Sequence, residues 1–294
     1  MDSPRSILKS RGLFPKKSWG QNFLGDPAIL ARIAEATQAG PEDTVVELGA
    51  GLGHLTQAVL HLGPRVIAIE RDRDLAAALR ERLGAEPRLT IVEANAATLE
   101  LETLAPVGLA GLSAQVTGKF IVVGNLPYQL SSQILFSMLA QRKRIARLVF
   151  LLQAEFVERL AAGPGGRDYG VLSIQAQALA DVFALFRVPA EAFHPRPAVD
   201  SMAAALVPLL EPRVAAAATP LFSQVVRAAF QQRRKTLANA LTGGGFSRAR
   251  EALAAAGIDP IRRAETLSLQ DFGHLTEAFA APGDQPRRSN EKLR

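Results

Sequence analysis

The chain has 294 residues, 48% of them hydrophobic and 21% charged, with no cysteine and a formal net charge of +6. This composition excludes a disulfide scaffold, a cysteine-ligated zinc centre, a catalytic thiol and a disordered or fibrous chain. The four histidines, His54, His61, His194 and His274, fall at no metal-ligand spacing, so no metal is expected.

Taken in chain order, short apolar runs at 45–48, 66–69, 89–92, 120–123 and 148–152 are bounded by glycine, proline or charge and predict buried parallel strands. Helical patterns lie between them, as at 75–83 and 131–139. This alternation predicts an open, doubly wound α/β sheet. Runs at 182–188 and 202–207 close the sheet as an edge pair, joined by a proline-rich connection too irregular for a helix. From about 220 to 281 the pattern is helical, with breaks at Gly243-Gly244-Gly245 and Gly257. The division expected is therefore a ligand-binding α/β domain over 1–209 with a basic N-terminal arm, a helical domain over 210–281, and a polar tail over 282–294 that reads as disordered.

The excess of positive charge fits a polyanionic partner, either nucleic acid or an anionic surface, or plain solubility. Its distribution favours a partner: Arg5, Lys9, Arg11, Lys16 and Lys17 crowd the N-terminus, Arg142, Lys143, Arg144 and Arg147 form a second group, and Arg227, Arg233, Arg234 and Lys235 a third. No apolar run approaches membrane-spanning length, and the basic N-terminus lacks the apolar core of a secretory signal, so no membrane and a cytoplasmic location are expected.

Glu47-Leu48-Gly49-Ala50-Gly51-Leu52-Gly53 reads as a strand end entering a glycine turn, with a helix from His54. Gly49 and Gly51 let the backbone turn tightly and approach a ligand, and the helix start offers unpaired N–H groups. The spacing is G-x-G-x-G rather than the dinucleotide G-x-G-x-x-G, because His54 holds the sixth place. Glu47 at the turn repels a pyrophosphate but can face an ammonium, which fits S-adenosylmethionine better than NAD. Glu70 ends the next strand, 21 residues after Gly49, where a carboxylate accepts both hydroxyls of a ribose.

Asn125-Leu126-Pro127-Tyr128 follows a buried strand, at the carboxyl edge where such sheets bind ligands. The amino nitrogen N6 of adenine is a poor nucleophile, since its lone pair is delocalised into the ring. Two acceptors for its hydrogens draw it toward a tetrahedral geometry, and a π face holds the base. Asn125 supplies one acceptor, the backbone carbonyl of Leu126 or Pro127 the second, and Tyr128 the π face. Such a site needs no metal and no strong base, and works mainly by positioning.

With Gly20-Gln21-Asn22-Phe23-Leu24, Phe193-His194-Pro195-Arg196-Pro197-Ala198-Val199-Asp200-Ser201 and Phe230-Gln231-Gln232-Arg233-Arg234-Lys235-Thr236-Leu237, these segments resemble the ribosomal RNA adenine N6,N6-dimethyltransferases acting on the small subunit. The resemblance runs from about Lys16 to Leu241. It implies a Rossmann-like class I methyltransferase domain with a mostly parallel seven-stranded sheet, S-adenosylmethionine as cofactor, and a monomer that dimethylates two adjacent adenosines in a hairpin near the 3′ end of 16S rRNA. It implies that Asn22 and Leu24 touch the cofactor, that Gly49 packs on its methionine part, that Glu70 binds its ribose, and that Asn125 serves cofactor and target. It further implies that Phe193 stacks on the flipped adenine opposite Tyr128 and that Arg233, Arg234 and Lys235 hold rRNA phosphates. One position departs from the family: Asn95 stands where an aspartate usually accepts from the cofactor's adenine, and weaker cofactor binding is expected. Two other readings compete, a 23S rRNA adenine N6-methyltransferase of the macrolide-resistance type and a non-catalytic RNA-binding assembly factor on the same fold.

Overall fold

A computed structural model of the chain describes residues 2–104, 119–232 and 234–281. Seven strands form one sheet: β1 Thr44–Leu48, β2 Arg65–Glu70, β3 Leu89–Glu93, β4 Phe120–Asn125, β5 Ile145–Gln153, β6 Ala180–Val188 and β7 Ser201–Pro208. Their order is β3-β2-β1-β4-β5-β7-β6. Strand β1 pairs parallel with β2 and β4, β2 with β3, and β4 with β5, while β7 runs antiparallel to β5. All five expected parallel strands are present, and the two later runs close the sheet on the β5 side.

The strands follow from their side chains. Val45, Val46, Ile67, Ile69, Val122 and Val123 are β-branched and essentially inaccessible, as a central parallel strand covered on both faces requires. Each buried side chain of this kind contributes about 1.5–3 kcal/mol relative to exposure. Edge strand β3 is only partly buried. The helix Pro27–Ala36 starts where the Asp26 carboxylate accepts from the N–H groups of Ala28 and Ile29, with Pro27 in the first turn. Its Leu30 and Ile33 join Leu55 and Val59, from the helix His54–Leu60, over Val45, Ile121 and Val149 of the sheet. The strand order reverses between β1 and β4, so a crevice opens where Leu48 and Asn125 end their strands.

The chain groups into two compact units, Met1–Val157 with Asp181–Leu210, and Glu158–Ala180 with Glu211–Arg294. The boundary drawn near 209 by sequence texture therefore misses an excursion. Tyr169, Ile174 and Ala178 are buried in one apolar cluster with Phe222, Val225, Leu241, Leu253 and Phe272, so the loop-and-helix segment Glu158–Ala180 packs with the later helices. Tyr169 meets the edge of Phe230 with ring centroids 6.4 Å apart. Helices at Pro220–Phe230, Leu237–Gly243, Ala249–Ala255 and Leu269–Ala280 make up the rest, and no strand occurs among the described residues after 220. Two of the expected breaks coincide with left-handed backbone, at Gly245 (φ +96°) and Gly257 (φ +68°). The expected tail, 282–294, lies outside the described residues.

Candidate active site

The crevice is a cleft of about 1060 Å³, open solvent at its mouth included, lined by the Trp19–Leu24 arm, the glycine turn, Glu47, Glu70, Asn95 and Asn125–Tyr128. Every lining residue belongs to the first unit.

The glycine turn is built as its sequence requires. Gly49 has φ +76° and Gly51 φ +55°, a region that side chains other than glycine's rarely adopt. The N–H groups of Gly49 and Ala50 both donate to the Ile69 carbonyl, at 2.8 and 3.1 Å, which ties the turn to the end of β2. A Cβ on Gly51 would press on the Phe23 ring at 3.1 Å, so any other residue there would push the arm outward by a few tenths of an ångström as well as strain the turn.

Two buried carboxyl groups face the cleft. Glu47 is 1% exposed and accepts from the Thr56 hydroxyl. Burial pushes its carboxyl up to about 8, against the Thr56 hydrogen bond and with the nearby Glu70 adding to the rise. Glu70 is 5% exposed and accepts from the N–H of Gly51 and of Asp72, both at 2.8 Å. Burial also raises its carboxyl above the usual range, opposed by those two N–H groups. Two buried carboxyls, both raised by burial in one largely apolar cleft, can take a positively charged ligand that also carries hydroxyls.

An anchor that the sequence did not reveal holds the arm. Gln21 accepts from the Lys16 N–H at 2.8 Å and donates through Nε2 to Asp72 at 2.9 Å. Lys16 Nζ binds Asp72 at 2.8 Å and Asp74 at 3.3 Å. Burial works against ionisation of Asp72, but the Lys16 and Gln21 hydrogen bonds outweigh it and hold its carboxyl below the usual range. Because the Asp72 N–H binds Glu70, the arm and the Glu70 carboxylate are parts of one network. Trp19 lies between Lys16 and Arg71, at 4.9 and 3.8 Å from its ring centroid, on the cleft's rim. Gln21 stands in the quoted arm motif, but its partner lies 51 residues away, and only the fold could supply it.

At the other end Asn125 Nδ2 donates to the Asn22 carbonyl at 2.8 Å. That bond sets the amide's orientation and leaves its oxygen as the acceptor. The Asn22 side chain in turn donates to the Gly20 carbonyl at 3.1 Å. The Pro127 carbonyl accepts from the Leu130 N–H at 2.9 Å and the Ser131 hydroxyl at 3.2 Å, so both of its lone pairs are used. Between the two carbonyls left open by sequence, the geometry therefore favours that of Leu126, a residue whose own N–H is tied to the Leu151 carbonyl at 3.2 Å. Tyr128 is held through its hydroxyl, 2.8 Å from Ser201 Oγ, and its half-buried ring faces the cleft. Burial raises its phenol above the ordinary value.

Other expected residues fall differently. Leu24 lines the cleft, and Asn95 does so from the start of a short turn, where its Oδ1 already accepts from the Ala97 N–H at 3.1 Å. One lone pair of that oxygen remains for a ligand. Phe193 is not brought to the cleft. It pairs with Leu24 in a two-residue antiparallel ladder that turns its ring into the core beside Ile33, Val45 and Val149, leaving it 5% exposed. Arg234 and Lys235 are exposed after the helix Pro220–Phe230, and Arg233 lies outside the described residues. Several cations counted as available by sequence are engaged: Arg11 with Glu81, Lys16 with Asp72, and Arg144 with Glu102. Among the described residues no group of three or more histidines and carboxylates could hold a metal ion, and no helix is long and apolar enough to cross a membrane.

Comparison with known proteins shows the family and the fold. A family model described as ribosomal RNA adenine dimethylase matches residues 14–281. A ribosomal RNA small subunit methyltransferase A from Anaeromyxobacter sp. (strain K) is 50% identical over 277 residues, spanning 93% of this chain and 96% of that protein. One from Moorella thermoacetica is 44% identical over 276 residues, with 93% and 96% covered. Among solved structures, a dimethyladenosine transferase from Plasmodium falciparum superposes with a TM-score of 0.68 at 23% identity, covering 88% of this chain and 97% of that one, which speaks for the fold. The 23S rRNA methyltransferase ErmE superposes with a TM-score of 0.65 at 26% identity, covering 87% and 98%.

Proposed function

The chain belongs to the ribosomal RNA adenine dimethylase family, and from that membership and the cleft we propose that it transfers methyl groups from S-adenosylmethionine to N6 of two adjacent adenosines in a hairpin near the 3′ end of 16S rRNA, in the small ribosomal subunit or its precursor. The observation that carries this reading is the Asn125 amide, held by the Asn22 carbonyl beside the anchored Tyr128 ring, at the switch point of the sheet and across from two buried carboxyls.

The residues present fit the cofactor. A turn without Cβ atoms at Gly49 and Gly51, the raised Glu47 and Glu70 carboxyls, and the apolar walls of Leu24 and Leu52 suit a ligand that is cationic at one end and an adenosine at the other. When bound, S-adenosylmethionine supplies an electrophilic methyl group on a sulfonium. Glu47 then holds the ligand's ammonium, directly or through water, and Glu70 accepts from its ribose hydroxyls. Asn95 accepts from its adenine amino group as a neutral dipole. The Asn125 oxygen and the Leu126 carbonyl take the two N6 hydrogens of the target, aiming the nitrogen's lone pair into the cleft, while Tyr128 stacks on the extruded base. Extrusion is cheapest for a base already in a loop. Positioning of this kind supplies most of the rate. Phe193, buried in the core, is left out of this scheme. Arg234 and Lys235, with Arg233, hold rRNA phosphates, and the protein works in the cytoplasm as a monomer.

The test is methyl transfer from radiolabelled S-adenosylmethionine to small and large subunits that lack the modification, with Asn125→Ala as control. Dimethyladenosine appearing only in small-subunit RNA, and lost in the variant, is the expected result. Label in large-subunit RNA would move the protein to the activity that ErmE is named for, a reading supported by 26% identity against 50% for the small-subunit relative.

A further inference from the structure

The N-terminal arm presents an outward face that the chemistry above does not use. The helix Pro4–Ser10 buries Ile7 and Leu8 against Phe23, Leu52 and Leu75, with Leu13 packed on the same cluster. Leu52, Leu75 and Phe23 also line the cleft, so this helix lies on the outside of the cleft wall. The chain beyond the helix is held by the Lys16, Gln21 and Asp72 bonds. The segment is thus fixed at both ends. What it turns outward is Arg5 and Lys9, one helical turn apart and exposed, and then Phe14. Phe14 is 83% exposed, the most exposed of the large hydrophobic side chains among the described residues, while its neighbour Leu13 points inward. Arg11 and Lys16 are committed to ion pairs, whereas Arg5 and Lys9 have no ion-pair partner among the described residues. The cleft's rim at Trp19 is five residues beyond Phe14, within about 18 Å of fully extended chain.

A largely solvated phenylalanine gains nothing in the isolated protein, and with two unpaired cations on the same arm it suits a polyanion with planar, unpaired bases. We infer that this face is a docking site for the single-stranded RNA that flanks the target adenosine, with Phe14 stacking on an unpaired base and Arg5 and Lys9 holding phosphates. The inference rests on the proposed RNA methyltransferase reading and adds to it RNA contacts on the N-terminal arm, beyond those proposed for Arg234 and Lys235. Stacking on a ring is tolerant of sequence, so the face steers a strand toward the cleft without choosing the base, and the choice falls to Asn125 and Leu126.

The test uses the full chain and an RNA hairpin with an adenosine-containing loop, taken from the 3′ end of small-subunit rRNA. Filter binding at several salt concentrations is measured for the wild-type chain, Phe14→Ala, Phe14→Tyr and the Arg5→Gln/Lys9→Gln pair, with cofactor affinity and methyl transfer measured alongside. Phe14→Ala is expected to weaken RNA binding about tenfold, and Phe14→Tyr to restore it. The double variant is expected to flatten the slope of log K against log salt by about 1.5. Cofactor affinity stays at the wild-type value in all three. RNA affinity and slope unchanged in every variant would overturn the inference and leave the face for a protein partner. A wild-type chain that methylates neither subunit defeats the proposed function instead, and the binding comparison still decides whether RNA docks on this face.

Discussion

The cleft's two ends are made of different kinds of group. At the end lined by Glu47 and Glu70, ionisable side chains are buried and their carboxyls raised, so that end is uncomfortable until a cation arrives. At the end lined by Asn125, Leu126 and Tyr128, every polar group is a neutral dipole, and the Asn125 amide N–H, the Leu126 N–H and the Tyr128 hydroxyl are held by hydrogen bonds to their own surroundings, leaving the Asn125 oxygen and the Leu126 carbonyl as acceptors. A charged ligand is captured by charge that pH can alter. A neutral amine is oriented by dipoles that pH does not touch and that need no rearrangement when the base enters.

Substitutions can break that contrast, beginning with the neutral end. Asn125→Ala is expected to lower the methylation rate roughly 10²–10³-fold, the loss typical for removal of one preorganised dipole, with little change in RNA binding. A kcat that stays near wild type would mean that another group orients the amine. At the charged end, Glu70→Gln is expected to weaken cofactor binding about 10- to 100-fold, read by calorimetry, because a charge-assisted acceptor for two hydroxyls becomes a neutral one.

The third prediction concerns pH. With the Glu47 carboxyl pushed up to about 8, the free protein carries a proton there at pH 7 and loses it when a cation binds. Cofactor binding should therefore release close to one proton, seen as a binding heat that depends on the buffer, and Glu47→Gln should abolish the dependence. The sign for stability follows from the same shift. Between the ordinary carboxylate range and pH 8 the unfolded chain binds fewer protons than the folded one, so the free protein loses stability as pH rises through that window. Glu47→Gln removes this slope, and equal melting profiles across the window in both proteins would refute it. The smallest effect is expected for Asn95→Asp, a gain in cofactor affinity of about threefold, since the position is exposed and its oxygen is shared with the Ala97 N–H. Unchanged or weaker affinity would show that Asn95 does not face the ligand.

Much of this arrangement was legible in the amino-acid sequence because it is local. The strand ends at Glu47, Glu70 and Asn125, the left-handed glycines and the run to Tyr128 are each set by a few adjacent residues, and the doubly wound order then forces them to one edge. What was hidden depends on partners far along the chain. Gln21 and Lys16 find Asp72, and Arg11 finds Glu81, so cations that read as free for a polyanion are already paired. Phe193 looks like an aromatic wall in its proline-rich motif, but pairing with Leu24 decides which way its ring turns. Segment Glu158–Ala180 has no texture that separates it from the sheet domain, and its place is fixed by which apolar cluster Tyr169 and Ile174 can fill.

The chain holds a single tryptophan, Trp19, and the fold sets that indole on the rim of the cleft against the Arg71 guanidinium. Its ultraviolet emission is consequently a signal from one known place. A ligand that fills the cleft changes the surroundings of that ring, and with them the intensity or colour of the light. The protein thus carries a built-in optical gauge of its own occupancy, readable without label, isotope or substrate turnover.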